Sequence, residues 1–194
     1  MAKPIRIASR SSKLALWQAN TVGAMLKHEY EIVKVSTSGD ERKDVPIVEL
    51  GGIGAFAKEV QNALLNDVAD IAVHSAKDLT SITPDCLELA AIPLRGDVRD
   101  VLIGSTLQEL AYGARVGTGA GRRRAQLAML RPDLRFEELR GNIETRISKA
   151  ENFDAIVLAN AALNRLELDS NAAQILDVDV MLPQVGQGAL AVEV

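Results

Sequence analysis

The chain has 194 residues, 47% apolar and 25% charged, too apolar for a disordered protein and long enough to bury a core in one domain or two compact ones. No apolar run approaches the roughly 20 residues that cross a bilayer, and the first ten residues hold no signal-peptide hydrophobic region, so no membrane association and a cytoplasmic location are expected. One cysteine (Cys86), two histidines, a net charge of −4 and 3% aromatic residues exclude an internal disulfide and a Cys-based zinc site, and argue against a structural metal or a nucleic-acid partner.

Strands and helices alternate along the chain. Residues 4–8 read as a short strand ended by the polar Ser9-Arg10-Ser11-Ser12, and Ser11 or Ser12 can cap the helix that follows. Leu14, Trp17, Val22, Met25 and Leu26 are expected near one face of that helix, and residues 32–36 alternate as a strand. A charged loop over 40–44 precedes Gly51-Gly52-Ile53-Gly54, which leads into a helix with Phe56, Val60, Ala63 and Leu64 at three- and four-residue spacing. Residues 70–74 read as a buried strand running into Ser75-Ala76-Lys77-Asp78, and 87–92 as another strand. Pro93 and Gly96 mark a crossing between domains.

A second series follows. Strands are expected at 101–103 and 114–118, a helix from Gly119-Ala120-Gly121 to Leu130 stopped by Arg131-Pro132, a strand at 134–139, a helix at 142–150 and a buried strand at 155–159. Residues 182–188 form a second glycine-rich crossing, and 189–194 a last strand. Such alternation indicates an α/β fold, with ligands met where strand C-termini lead into helix N-termini.

Four segments stand at such positions. Arg10-Ser11-Ser12 reads either as a cap beside a surface arginine or as a ligand loop. His74-Ser75-Ala76-Lys77-Asp78 reads as a solvated Lys–Asp pair or as a site delivered by a buried strand. Thr118 opens a glycine-rich turn before Arg122 and Arg123, where backbone N–H groups and two guanidinium groups suit an anion. The spacing is wrong for a dinucleotide fingerprint. Arg140 and Arg146 flank a helix start and read as a solvated face or as further anion donors. Residues 115–146 hold eight arginines against four acids, +4 within an acidic protein, which points to a small ligand bearing carboxylates or phosphates more than to a polynucleotide.

In order and interval, residues 6–12 with 14–19, 51–59, 70–78, 116–118 with Arg122 and Arg123, 139–146, and 182–189 resemble the porphobilinogen deaminase (hydroxymethylbilane synthase) family. Each motif alone is weak; the ordered set is specific and spans essentially the whole chain. The resemblance implies an enzyme of tetrapyrrole and haem biosynthesis, a transferase joining four porphobilinogen units head to tail into hydroxymethylbilane with release of ammonia. Its implied fold is two similar α/β lobes like those of type-II periplasmic binding proteins, with the ligand in the cleft between them. The lobes are expected at 1–94 plus 185–194 and at 97–182, in a monomer.

By the same resemblance Asp78 is the catalytic carboxylate, stabilising positive charge on the pyrrole nitrogens when ammonia leaves. Arg10, Ser12, Lys77, Thr118, Arg122, Arg123, Arg140 and Arg146 match positions that hold the carboxylates of substrate and of the dipyrromethane cofactor. Departures are also legible. Gly119 and Ala120 stand where the family has two serines, and Ile53 stands where it has lysine. Family members continue into a third domain carrying the cofactor's cysteine, which the 194 residues do not include; Cys86 does not match it and is expected to face the core. On this reading the chain alone is expected to show no dipyrromethane mass increment and negligible turnover. Two rival readings are a non-catalytic module binding small polycarboxylates on the same fold, and an effector-binding domain for another small anion.

Overall fold

A computed structural model describes residues 3–36, 54, 56–168 and 172–194. The expected charged loop at 40–44, and Gly51, Gly52, Ile53 and Ala55, lie outside the described residues. The first run of elements is β1 (Ile5–Arg10), α1 (Lys13–Met25), β2 (Tyr30–Val35), α2 (Lys58–Leu65), β3 (Ile71–Ser75) and β4 (Leu89–Ala91), with a 3₁₀ turn at Ala76–Asp78 after β3. The second is β5 (Asp100–Ile103), β6 (Arg115–Gly117), α3 (Gly121–Leu130), β7 (Arg135–Glu137), α4 (Ile143–Ser148), β8 (Ala155–Ala159), α5 (Asn160–Leu166) and β9 (Ala172–Leu176). The last strand, β10 (Leu190–Glu193), returns to the first sheet.

Two units result: Met1–Gly96 with Gly188–Val194, and Asp97–Gln187. The second division falls between Gln187 and Gly188, inside the glycine-rich segment 182–188. The two sheets share one design. The first has strand order β2-β1-β3-β10-β4 and the second β7-β6-β8-β5-β9. In each, three parallel strands are followed by one strand antiparallel to both of its neighbours. Parallel neighbours require crossover connections, and the intervening helices supply them. As a consequence, β1 and β3 end on one edge of their sheet, and β6 and β8 on one edge of theirs.

Each sheet is buried on both faces, so its central strands are apolar without alternation. Ile7 packs with Ala19, Val22 and Leu190 on the α1 face, while its neighbour Ala8 packs with Val60, Ala63 and Ala72 on the α2 face. In the second unit Leu102, Val116, Leu127 and Val157 form one layer, and Val101, Ile156, Leu158 and Leu163 the opposite one. The period of two in side-chain direction sorts these consecutive residues to their layers.

Several expectations change. β1 runs on through Ser9 and Arg10, which pair with Lys34 and Val35 of β2; the polar residues end the apolar pattern but not the ladder. On α1 the buried face is Gln18, Ala19, Val22 and Gly23, and Trp17 and Met25 are exposed. Gly23 allows this because the Tyr30 ring lies where a Cβ would stand, 2.5 Å from Tyr30 Cε2. β7 stops at Glu137, and α4 at Ser148 before a 3₁₀ turn at Ala150–Asn152. Neither α5 nor β9 was anticipated, since β8 passes into α5 with no turn residue between them.

Cys86 is exposed rather than core-facing. It precedes β4, an outer strand whose three residues are themselves exposed, so no layer covers it. Iodoacetamide is therefore expected to alkylate Cys86 fully in native buffer, read as one added carbamidomethyl group by intact mass. Protection until denaturant is added would contradict this placement.

Candidate functional site

In the first unit the relevant side chains gather where β1 and β3 end. Ser12 caps α1, its Oγ accepting from the Ala15 N–H at 3.3 Å, which leaves the hydroxyl proton to donate elsewhere. Arg10 closes β1 with its guanidinium carbon 4.1 Å from the centroid of the Phe56 ring, a cation–π contact that orients the charge without neutralising it. Buried Gln18 of α1 exchanges hydrogen bonds with Ser75 (2.9 and 3.3 Å), tying the helix to the end of β3. The Ala76 N–H donates to the Ala189 carbonyl (3.1 Å), anchoring the 3₁₀ turn to the segment entering β10. This turn presents Lys77 and Asp78, both half-buried. Among the described residues none hydrogen-bonds to or ion-pairs with the Asp78 carboxylate.

Behind the turn lies a buried polar group. His74 Nε2 is 3.0 Å from Glu193 Oε2, and Gln61 Nε2 donates to both Glu193 oxygens at 3.0 Å. Burial pushes the Glu193 carboxyl upward, but the close contact of His74 and the hydrogen bonds of Gln61 outweigh it and hold the group below the usual carboxylate range. Strands β3 and β10 and helix α2 are thereby fastened beneath the Asp78 turn.

In the second unit the glycine-rich turn leads from β6 into α3. Thr118 is buried, its Oγ1 accepting from the Ala120 N–H at 3.2 Å. Arg122 and Arg123 both turn onto Asp100, the first residue of β5, which is fully buried. Arg123 Nη2 lies 2.7 Å from Oδ1, and Arg122 Nη2 lies 2.6 Å from Oδ2. Gln187 Nε2 adds a third bond to Oδ1 at 2.9 Å. Arg123 Nη1 also donates to the Val157 carbonyl at 3.0 Å, and Arg122 Nη1 to the Leu182 carbonyl. Burial pushes the Asp100 carboxyl upward, and the two guanidinium groups outweigh it, so the group stays below its ordinary value. Two donors remain unused: the buried Nε–H groups of Arg122 and Arg123 meet no acceptor.

Most of the other arginines in 115–146 are also engaged. Glu138, just beyond β7, meets Arg124 Nη2 at 2.9 Å and Arg140 Nε at 2.9 Å. Arg146 Nε donates to the Gly141 carbonyl at 2.8 Å. Gly141 has φ +117°, and a Cβ there would lie 2.7 Å from Thr145 Cγ2, so this bend between Arg140 and the Asn142 cap of α4 requires glycine. Arg131 pairs with Asp133 and Arg115 approaches Glu137. Asp133, Glu137 and Glu138 are among the four acids already counted within 115–146, and Asp100 from outside that window offsets one of the four excess charges.

The structure brings Arg10, Ser12, Lys77 and Asp78 to one sheet edge, and Thr118, Arg122, Arg123 and Arg140 to the strand ends and helix starts of the other unit, with Arg146 in the last turn of α4. Sequence reasoning missed Asp100, Gln187, Glu138 and the His74–Glu193–Gln61 group. One signal was present: an aspartate heading the apolar Val101-Leu102-Ile103 must be buried, and a buried carboxylate needs cationic partners. Among the described residues no cluster of His, Cys, Asp or Glu is arranged to hold a metal ion, and no helix is long and apolar enough to cross a membrane.

A family model described as porphobilinogen deaminase, dipyromethane cofactor binding domain, matches residues 5–194. The chain is 47% identical over 200 residues to the porphobilinogen deaminase of Geobacter metallireducens, covering 98% of this chain and 63% of the relative. It is 46% identical over 201 residues to that of Maridesulfovibrio salexigens, covering 98% and 65%. The chain thus spans just under two thirds of the length of these relatives. Among solved structures it is similar to the periplasmic VFT2 domain of Bordetella pertussis BvgS, with TM-score 0.51, 16% identity and coverage of 97% of this chain and 79% of that one. It is also similar to the periplasmic sulfonate-binding protein SsuA from Methylobacillus flagellatus, with TM-score 0.50, 12% identity and coverage of 98% and 61%. At these identities the likeness is one of fold: two-lobed, as in periplasmic binding proteins.

Proposed function

The chain belongs to the porphobilinogen deaminase family, and from that membership we propose that it serves the hydroxymethylbilane synthase reaction, binding porphobilinogen and assisting its head-to-tail condensation. The observation that carries this reading is the division of labour between a carboxylate without a partner among the described residues, Asp78 after β3, and the arginines of the second unit at the start of α3 and about α4. Porphobilinogen bears an acetate and a propionate, and guanidinium groups offer such carboxylates paired, charge-assisted donors. Arg140 and Arg146, both half-buried, and the unused Nε–H donors of Arg122 and Arg123, are the groups we assign to that task. Arg10, Ser12, Lys77 and Thr118 supplement them.

Asp78 serves the chemistry. When the aminomethyl C–N bond breaks and ammonia departs, positive charge spreads over the pyrrole; a fixed carboxylate beside the nitrogen lowers the energy of that state. The α-carbon of the next pyrrole then attacks, and the proton it sheds needs an acceptor near the ring, a role Asp78 can also fill. The family's dipyrromethane is itself a polycarboxylate, and unused arginine donors suit it. When bound, it supplies the tethered pyrrole end to which units are added. We place this reaction in the cytoplasm, where an exposed single thiol such as Cys86 stays reduced.

Calorimetric titration of porphobilinogen tests the assignment. Arg140→Ala and Arg146→Ala are each expected to weaken binding by about one to two decades, the range for a lost charge-assisted hydrogen bond. Unchanged affinity in both variants would remove these arginines from the site.

A further inference from the structure

The Glu138 carboxylate lies against the glycine-rich turn at a spot made available by the absence of a side chain. A Cβ on Gly119 would stand 2.7 Å from Glu138 Oε1 and 3.3 Å from the Leu139 carbonyl oxygen. The sheet register brings these segments together: β6 and β7 are parallel neighbours, and the Thr118 N–H donates to the Glu137 carbonyl at 2.9 Å. Residues 119 and 138 therefore leave their strands side by side. In that place Glu138 draws in two cations, Arg124 Nη2 and Arg140 Nε, each at 2.9 Å. Arg124 is held from the other side by the Thr118 carbonyl, which accepts from its Nε and Nη2 at 3.3 and 3.2 Å.

We propose that Glu138 is a specificity-determining residue, an internal carboxylate seated in the space left by Gly119 that a ligand carboxylate must displace to reach Arg140. The inference rests on the reading above, in which Arg140 receives a ligand carboxylate. Glu138 is exposed and its carboxylate can swing into water, keeping displacement feasible. Arg124 remains bound to the Thr118 carbonyl when the glutamate leaves, so the exchange concerns Arg140. A ligand with a single weakly held carboxylate competes poorly against a glutamate already in place, because its own binding carries an entropy cost that the tethered side chain avoids. A pyrrole with two carboxylates gains a second anchor that offsets this cost. The arrangement selects for polycarboxylates.

Porphobilinogen titrations on the wild-type chain, Glu138→Ala, Gly119→Ala and the double variant Glu138→Ala/Arg140→Ala test the proposal. Glu138→Ala deletes the competitor, and Gly119→Ala expels it sterically while keeping its charge. Both single variants are expected to bind about three- to tenfold more tightly, the scale of one or two exposed ion pairs. The gain should vanish when Arg140 is also absent, which a purely structural effect would not produce. Should Glu138→Ala not fold, Gly119→Ala alone decides. Equal or weaker binding by the single variants, or a gain that survives loss of Arg140, overturns the proposal while the assignment of function stands. No binding by the wild type or by either single variant overturns both.

Discussion

Asp100→Ala is expected to destabilise the chain by about 3–5 kcal/mol, because it leaves the buried Arg123 guanidinium without its carboxylate and takes a partner from half-buried Arg122. Asp100 is fully buried and Arg123 only 5% exposed, so neither partner can be rescued by solvent. The loss should exceed that from breaking the more exposed Arg6–Asp70 pair, since exposed pairs contribute about 0–1 kcal/mol. Urea unfolding followed by circular dichroism measures the difference. The wild type should lose the same contribution in acid. A carboxyl held below its ordinary value stabilises the fold above the unfolded-state range, near pH 4, and ceases to do so as protons are forced onto it. Asp100 and Glu193 both lie in that class, so stability should fall as pH drops below about 4. An unaltered urea midpoint in Asp100→Ala would contradict the buried cluster.

The second large effect concerns Asp78. Asp78→Asn keeps the shape of the side chain and removes its charge, so porphobilinogen affinity should stay within about threefold, while in preparations complemented with the family's cysteine-bearing domain consumption of porphobilinogen slows by about 10²–10³-fold, the scale for losing one preorganised electrostatic contact. Steady-state rates and titrations on the same preparations separate the two quantities. A rate equal to wild type would remove Asp78 from the chemistry and leave it a surface group beside Lys77.

Physical reasons decide which of these features could be read from the sequence. The apolar runs of β5, β8 and β10 are legible because a strand covered on both faces has no polar alternation. The turns after β1, β3 and β6 are legible because polar and glycine residues interrupt those runs. α5 follows β8 without interruption, so composition does not separate them. The buried face of α1 was misjudged because size suggested Trp17 and Met25, while packing against the sheet favours the small Ala19 and Gly23 beside Val22. Ionic partners were the least legible. Asp100 and Arg123 are 23 residues apart, and Gly119 meets Glu138 only through the register of β6 on β7. Such pairs depend on topology, to which local pattern is blind. The charge excess at 115–146 was visible; the pairing of its arginines with Asp100 and Glu138 was not.

Pyrrole recognition is the claim on which the account turns, and competition between porphobilinogen and tricarballylate, a tricarboxylate without a pyrrole, measures it most directly. The arginines alone would bind both. On the proposed assignment an Asp78 oxygen accepts the pyrrole N–H, a contact that tricarballylate lacks, which should favour porphobilinogen by about three- to tenfold, the scale of one hydrogen bond. Calorimetric displacement of tricarballylate by porphobilinogen is predicted to show that preference. Equal affinities for the two ligands would contradict the account and identify the chain as a binder of small polycarboxylates.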